Sequence, residues 1–592
     1  MLKWMAKATI AIAMLLSFAR LPGATVSAAI PQDMEHPAEL VILAQEYRAW
    51  GAEPHSGTPD YVALDRERVE GLADFKARLA AIDPSAWSVH DRIDYLVLQI
   101  EMDHQDFQLR VIRQPTRNPD FYVNQAIGGV TRYIGGRYVD GDGVQVPYDD
   151  QRTDGIVAAM RRTPEIVDRA REGLIEGVPE MADVAIERLE DIGSKYRQLV
   201  EILTPRVPDS HTSALAEAAD VAATSLGGYR DWLLEARDDM TAPYAIGAPA
   251  FEWLVQNVYV YPYDNEQLLQ QAESERLRNW AFLQFERQNN KDLPRPGGVA
   301  SDPPSRKANS NAEYTEWNDA TDVLSRLWAE EIEFFTRPDY IGPMRHGENL
   351  GYYIDPFGFM SFPVEDRPED FEREFLVEPD SWYTDIYWNL GHRIDPGTNH
   401  PHSHYMGHNF EGIVTDHLTC KIRRPHNTRG DAWANYIEEV QLQTKFPFVR
   451  GDLIRELMHG LSIMRAERVH IAVKFADGSM SPEEVVTYMM ETTPWMEPYV
   501  ARKHELWRKY TRPAQVLTYQ VGKFEIFKLM RVRMRQLGDD FDFRTFHDDL
   551  LATGRIPLAL ARWEMAGLDD DVAHLWDRAP IPEEATRTRS NR

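Results

Sequence analysis

The chain has 592 residues, 43% of them apolar and 27% charged, with 94 acidic against 65 basic side chains and a net charge of −29. A mean hydropathy of −0.47 with that composition describes a globular protein long enough for roughly two to four domains. The acidic surface repels phosphate backbones and anionic headgroups, which argues against nucleic acid and membrane surfaces as partners.

Lys3 and Lys7 precede the apolar run Ala8 to Ala19, and the small residues Val26-Ser27-Ala28-Ala29 follow. This is the order of a secretory signal peptide over residues 1–29, and the run is shorter than the roughly 20 residues a membrane span needs. The expected mature protein is therefore exported, periplasmic or secreted, with no membrane association after cleavage. Further along, Ser88-x-x-Asp91 caps a helix carrying Ile93, Leu96, Val97 and Ile100 at helical spacing. Thr163-Pro164-Glu165 opens another, with proline at the favoured first position. Ala182 to Leu203 reads as one long amphipathic helix. Val255 to Tyr263 is the best strand candidate, or an extended segment lining a cleft.

Leu293 to Asn311 holds four prolines and two glycines and reads as a loop or linker. It divides an N-terminal helical lobe (30–292) from a C-terminal helical lobe (312–576). Residues 340–400 lack sustained periodicity and read as irregular structure, and their aromatics, Trp382 and Tyr387 among them, read as ordinary packing. The lone cysteine, Cys420, excludes an intramolecular disulfide, so the exported chain relies on its core for stability. Ser481-Pro482-Glu483-Glu484 is a capping box, Lys523 to Leu537 is rich in helix formers, and the polar tail 577–592 is expected to be unstructured. The fold class these signals imply is all-α, a large two-lobed helical fold around a central cleft.

The chemistry concentrates in His402-Ser403-His404-Tyr405-Met406-Gly407-His408-Asn409-Phe410-Glu411. On a helix, His404, His408 and Glu411 stand at i, i+4 and i+7 and share a face. Downstream, Asp431, Asn435 and Glu438 repeat that spacing. Imidazoles paired with carboxylates are the donor set of a catalytic divalent metal with an open position. The alternative is a polar loop over 399–408.

The run Pro513-Ala514-Gln515-Val516-Leu517-Thr518-Tyr519-Gln520-Val521-Gly522, then Phe541 to Asp548, then Gly554-Arg555-Ile556-Pro557-Leu558 resembles the DUF885 family. Its members are large, mainly helical, often exported and similar to zinc metallopeptidases, and the likeness extends over most of the mature chain. Their signature is HExxPGHxxQ followed by EGWxxYxE. The resemblance implies His402 and His408 as metal ligands, with Asp431 or Glu438 as the third, and Tyr519 as donor to a developing oxyanion. The chain departs from the signature at Ser403, Met406, Glu411 and Asp431. Serine cannot take a proton as the motif glutamate does, so His404 or Glu411 would have to act as base. The implied function is an exported metal-dependent hydrolase, peptidase-like, holding a divalent ion (zinc by family) and acting on a peptide or small molecule. The alternatives are a metal-dependent lyase acting on a small oxygenated or aromatic substrate, and a non-catalytic binding protein.

Overall fold

The structure is a computed structural model. It describes residues 37–52, 57–134, 147–292, 311–336, 400–403, 405–416, 427–448, 454–493 and 501–586, with a few shorter stretches between them. The expected signal peptide, most of the 293–311 linker, Trp382, Tyr387, Cys420 and His404 lie outside the described residues.

In chain order, α1 (Ala38–Gly51), α2 (Tyr61–Ala80) and α3 (Val89–Phe107) precede α4 (Pro119–Ile134), α5 (Asp150–Arg161), α6 (Thr163–Gly173), α7 (Pro179–Arg188), α8 (Ile192–Leu203) and α9 (Thr212–Ala236). Next come α10 (Ala248–Asn257), α11 (Asn265–Asn289) and α12 (Asn311–Glu331). The second half supplies α13 (His408–Asp416), α14 (Asn427–Gln443), α15 (Ile454–Ala476), α16 (Pro482–Thr492), α17 (Leu517–Leu537), α18 (Phe543–Ala552) and α19 (Leu558–Ala566). One short antiparallel hairpin, Tyr352–Ile354 with Ser361–Pro363, is the only sheet among the described residues. The fold is all-α. No helix among the described residues is long and apolar enough to cross a membrane.

The helix starts follow local chemistry. Ser88 accepts from the Asp91 amide at the head of α3, and Ser481 with Glu484 closes a capping box on α16. Three expectations are overturned. The single helix over 182–203 breaks into α7 and α8 at Asp191, whose φ of 53° is a left-handed conformation that a short polar side chain tolerates. The Arg188 carbonyl freed by the break accepts from Lys195 Nζ at 3.0 Å. The strand over 255–263 is instead the end of α10 followed by a turn and irregular chain, with Val260 in the left-handed region at φ 55°. Its β-branched and aromatic residues bury against helices; Tyr261 is 1% exposed. The tail expected to be unstructured from Asp577 is packed as far as Thr586. Arg578 pairs with Asp103, Trp253 Nε1 donates to the Ala579 carbonyl at 2.8 Å, and Ile581 is buried.

Helices α4 to α9 bury their apolar faces mostly against one another. The largest core joins α1 to α3 with Trp328, Phe334, α13, α14 and α17 to α19, so residues from both sides of the 293–311 segment share it. Helix α11 lies along α15, and α14 lies along α17. A buried charge cluster ties three of these helices together. Lys523 of α17 donates to Glu275 of α11 at 2.8 Å and to Glu439 of α14 at 3.2 Å, and Arg278 of α11 bonds both carboxylates.

This cluster makes a prediction. Burial alone would raise the Glu439 pKa, but Lys523 and Arg278 outweigh it and hold it at about 2; Glu275 is held down in the same way. A folded pKa below the unfolded value contributes stability that is present above about pH 4.5 and lost as pH falls towards about 2. Lys523→Met should cost about 3–5 kcal/mol near neutral pH, because it strands buried carboxylates. That deficit should shrink at about pH 3, as read by urea denaturation at both pH values. An equal deficit at the two pH values would count against the assignment.

Candidate functional site

The centre of the site is a broken helix. A one-turn helix, His400–Ser403, holds His402 and ends one residue after it, and α13 begins at His408. The continuous helix that would align His404, His408 and Glu411 is therefore not formed. Between the two helical pieces, Met406 has φ 79°, a left-handed backbone that a long side chain rarely adopts. A Cβ on Gly407 would lie 1.7 Å from the His402 carbonyl oxygen, so only glycine fits. Trp433 of α14, fully buried, donates from Nε1 to the Met406 carbonyl at 2.6 Å and holds the turn. Phe410 stacks on Phe335 with centroids 4.2 Å apart and anchors the first turn of α13. The result brings the His402 and His408 rings to 4.9 Å between centroids at 75°.

Helix α14 supplies the facing wall, with Asp431, Asn435 and Glu438 on one side as their spacing requires. His402 Nδ1 lies 2.7 Å from Glu438 Oε1. An ionised carboxylate only accepts, so Nδ1 carries the hydrogen, and whenever the ring is neutral its lone pair lies on Nε2. Arg465 of α15 clamps both Glu438 oxygens, with Nη2 at 2.8 Å from Oε1 and Nη1 on Oε2. Glu438 therefore stands behind His402 and orients it. Asp431 Oδ1 lies 3.9 Å from His408 Nε2, and Asp431 Oδ2 accepts from the Thr518 hydroxyl at 2.7 Å. Asn435 Nδ2 donates to the Tyr519 carbonyl at 3.0 Å.

A close helix approach sets this register. A Cβ on Gly522 would meet Ala432 Cβ at 2.5 Å and Tyr261 Oη at 3.1 Å. Gly522 lets α17 press onto α14, and Thr518, one turn earlier on the same face, then reaches Asp431, the neighbour of Ala432. Tyr519 follows, with the guanidinium carbons of Arg465 and Arg468 at 5.9 and 5.6 Å from its ring centroid.

The electrostatics keep the donors in useful forms. Burial lowers the His408 pKa to about 4, with His402 pushing the same way and Asp431 opposing, so the ring is neutral near pH 7. Burial raises Glu438, but Arg465 and His402 outweigh it and hold its carboxyl at about 2. Burial, reinforced by Asp431, raises Tyr519, which keeps its proton.

His402, His408, Asp431, Glu438 and Tyr519 thus meet around α14, although they span more than a hundred residues of sequence. Glu411 is placed differently. It is fully buried, accepts from Arg429 Nε at 2.8 Å, and has Arg555 Nε 3.4 Å from its other oxygen. Tyr436 donates to His547 Nε2 at 2.7 Å inside the core. Among the described residues, no three His, Cys, Asp or Glu side chains already form a metal-holding set. The donor chemistry nonetheless fits a divalent ion: one carboxylate-oriented imidazole, one neutral imidazole and one carboxylate. The 3.9 Å between His408 and Asp431 is too long for a hydrogen bond and near the roughly 3.4 Å that separates two tetrahedral zinc ligands. Sequence reasoning missed Arg465 and Thr518 as site residues, and no local pattern marks either.

Residues 402–565 match the family described as "Bacterial protein of unknown function (DUF885)". No curated protein matches the chain. Two solved structures share the fold. "The structure of a putative lipoprotein of unknown function from Shewanella oneidensis" is 14% identical, with TM-score 0.63 over 89% of this chain and 97% of that one. "The crystal structure of the putative lipoprotein from Colwellia psychrerythraea" is 16% identical, with TM-score 0.58 over 88% and 92%.

Two substitutions test this architecture. Gly407→Ala should cost at least about 2 kcal/mol in urea denaturation, because the backbone must move to admit the methyl group; a loss within about 0.5 kcal/mol would contradict the turn. Arg465→Met should cost about 3–5 kcal/mol by leaving Glu438 buried and unpaired, and adding Glu438→Leu should recover much of that loss. A strictly additive double variant would show that the two side chains are not coupled.

Proposed function

We propose that the protein is an exported metal-dependent hydrolase acting on peptides or small amides, with His402, His408 and Asp431 as the residues that would hold a divalent ion. Zinc suits two imidazoles and a carboxylate. The observation that carries the proposal is the Arg465–Glu438–His402 relay beside a neutral His408 that faces Asp431. Carboxylates behind ligating histidines fix the ring tautomer and raise its basicity. This reading moves Glu438 from ligand to orienting partner.

An ion held there would supply Lewis-acid polarisation of a substrate oxygen. The chain's own residues do the rest. Glu438 keeps the proton on His402 Nδ1. Thr518 fixes one Asp431 oxygen and leaves the other facing His408. Tyr519 retains its hydroxyl proton and can donate it as a hydrogen bond to an oxygen gaining negative charge. Arg465 and Arg468 beside the ring favour that charge. The weak step is proton removal from the attacking water. Ser403 occupies the motif position of the base, and Glu411 is committed to Arg429.

Ser403 also favours a second reading, a metal-dependent lyase or other non-peptidase enzyme acting on a small oxygenated substrate. One experiment separates the two. Ser403→Glu should raise peptide turnover by roughly 10²–10⁴ if the remaining machinery is hydrolytic, and both chelation and His408→Ala should abolish the gain. A Ser403→Glu variant that binds one equivalent of zinc yet leaves peptides untouched would overturn the hydrolase and favour the lyase. Cell fractionation of the tagged full-length chain tests export, and a cytoplasmic product with residues 1–29 intact would contradict it.

A further inference from the structure

A cavity of about 410 Å³ lies apart from the histidine turn, and no residue of that site lines it. Its walls come from three places: the chain just beyond the end of α3, the segment before α10, and the packed C-terminal tail. After α3 the chain makes a π-helical turn, Gln108–Ile112, then turns through Arg113 at φ 47° into the short helix Gln114–Arg117. Wide π turns and left-handed non-glycine residues are uncommon and recur at functional sites. Here the two together direct Arg113 and Arg117 to one cavity.

The lining is chiefly apolar, with Val111, Ile246 and Pro249 among it, but three buried charges face it. Arg113 Nη2 lies 3.0 Å from Glu176 Oε2, and both side chains are largely buried. Arg117 is 7% exposed and donates from Nη2 to the Pro243 carbonyl at 2.5 Å. A guanidinium has five N–H donors, and that is the only hydrogen bond from this side chain among the described residues. The buried charges therefore sum to one uncompensated cation, since Glu176 answers Arg113 and the other acid on the lining, Glu584, is exposed at the rim. Burial and then Arg113 pull the Arg117 pKa down to about 10, against the pull of Glu176.

We propose that this cavity is a binding site for a small monocarboxylate with an apolar body, its carboxylate on Arg117 and its body against the apolar walls. A planar guanidinium with open donors matches a carboxylate in a two-point fork. One residual positive charge balances one negative charge. Inorganic phosphate, carrying between one and two negative charges near pH 7, has no apolar body to cover the apolar walls and more charge than the one residual cation balances. The volume falls within the range of small-molecule pockets. Such a carboxylate could be a free acid or the C-terminus of a peptide.

The test is calorimetric titration of the full chain with octanoate, octanamide, an N-acetylated dipeptide with a free carboxylate, and inorganic phosphate. Octanoate should bind with Kd of about 1 mM or tighter, and octanamide at least roughly tenfold more weakly. A dipeptide that binds more tightly than octanoate would support the site and assign its source to peptide C-termini. Arg117→Gln should weaken octanoate at least roughly tenfold. Ala585→Trp, at a half-buried wall position, should block binding without touching a buried charge, and it serves if Arg117→Gln fails to fold. Equal binding of octanoate and octanamide, phosphate binding as tight as octanoate, or octanoate affinity unchanged in Ala585→Trp would overturn the proposal.

Discussion

A carboxylate buried between a guanidinium and an imidazole organises this molecule. Glu438 is 3% exposed, and so deep a charge survives only if its partners are close and fixed. Arg465 answers it from α15 and His402 answers it from the turn before α13. Three separate stretches of chain are therefore held in one arrangement. Displacing any of them would leave a charge stranded in an apolar interior. The same bond that stabilises the fold also decides which nitrogen of His402 carries the proton, so stability and site chemistry cannot be varied independently there.

Two glycines convert that constraint into geometry. Gly407 allows the chain to reverse between His402 and His408 within a few residues, with Trp433 holding the strained Met406 carbonyl. Gly522 lets α17 settle close enough onto α14 for Thr518 to bond Asp431. Neither glycine has a side chain to offer, yet each fixes the spacing of the polar groups gathered around α14. The strain at Met406 persists because a buried indole and the start of α13 over-determine the turn. Local backbone strain and tight packing thus concentrate where the donors converge.

The sequence made helices legible wherever capping chemistry and periodicity agreed, as at Ser88 and Ser481. It misled where one signal stood alone. The β-branched and aromatic run at 255–263 looked like a strand because those residues suit any half-buried surface, and here the surface is helical. The periodicity through 182–203 could not reveal the break at Asp191, since it leaves the apolar spacing intact. In the site, the i, i+4, i+7 face of α14 was readable because it lies on one uninterrupted helix. The histidines were readable as a cluster but not as a geometry, because the turn that joins them depends on a tryptophan 27 residues away. Arg465 was invisible for the same reason: its role is set by a long-range ion pair. Glu411 shows the converse, a residue whose spacing suggested chemistry and whose tertiary partners, Arg429 and Arg555, give it a buried structural bond.

The proposed function rests on the two imidazoles of the turn and the carboxylate at the head of α14 acting as one donor set. Zinc K-edge X-ray absorption on the full chain loaded with one equivalent of metal addresses this directly. The expected shell has two imidazole nitrogens and carboxylate oxygen at about 2.0–2.1 Å, with one imidazole contribution lost in His402→Ala. A shell made only of oxygen, or one unchanged by that substitution, would contradict it.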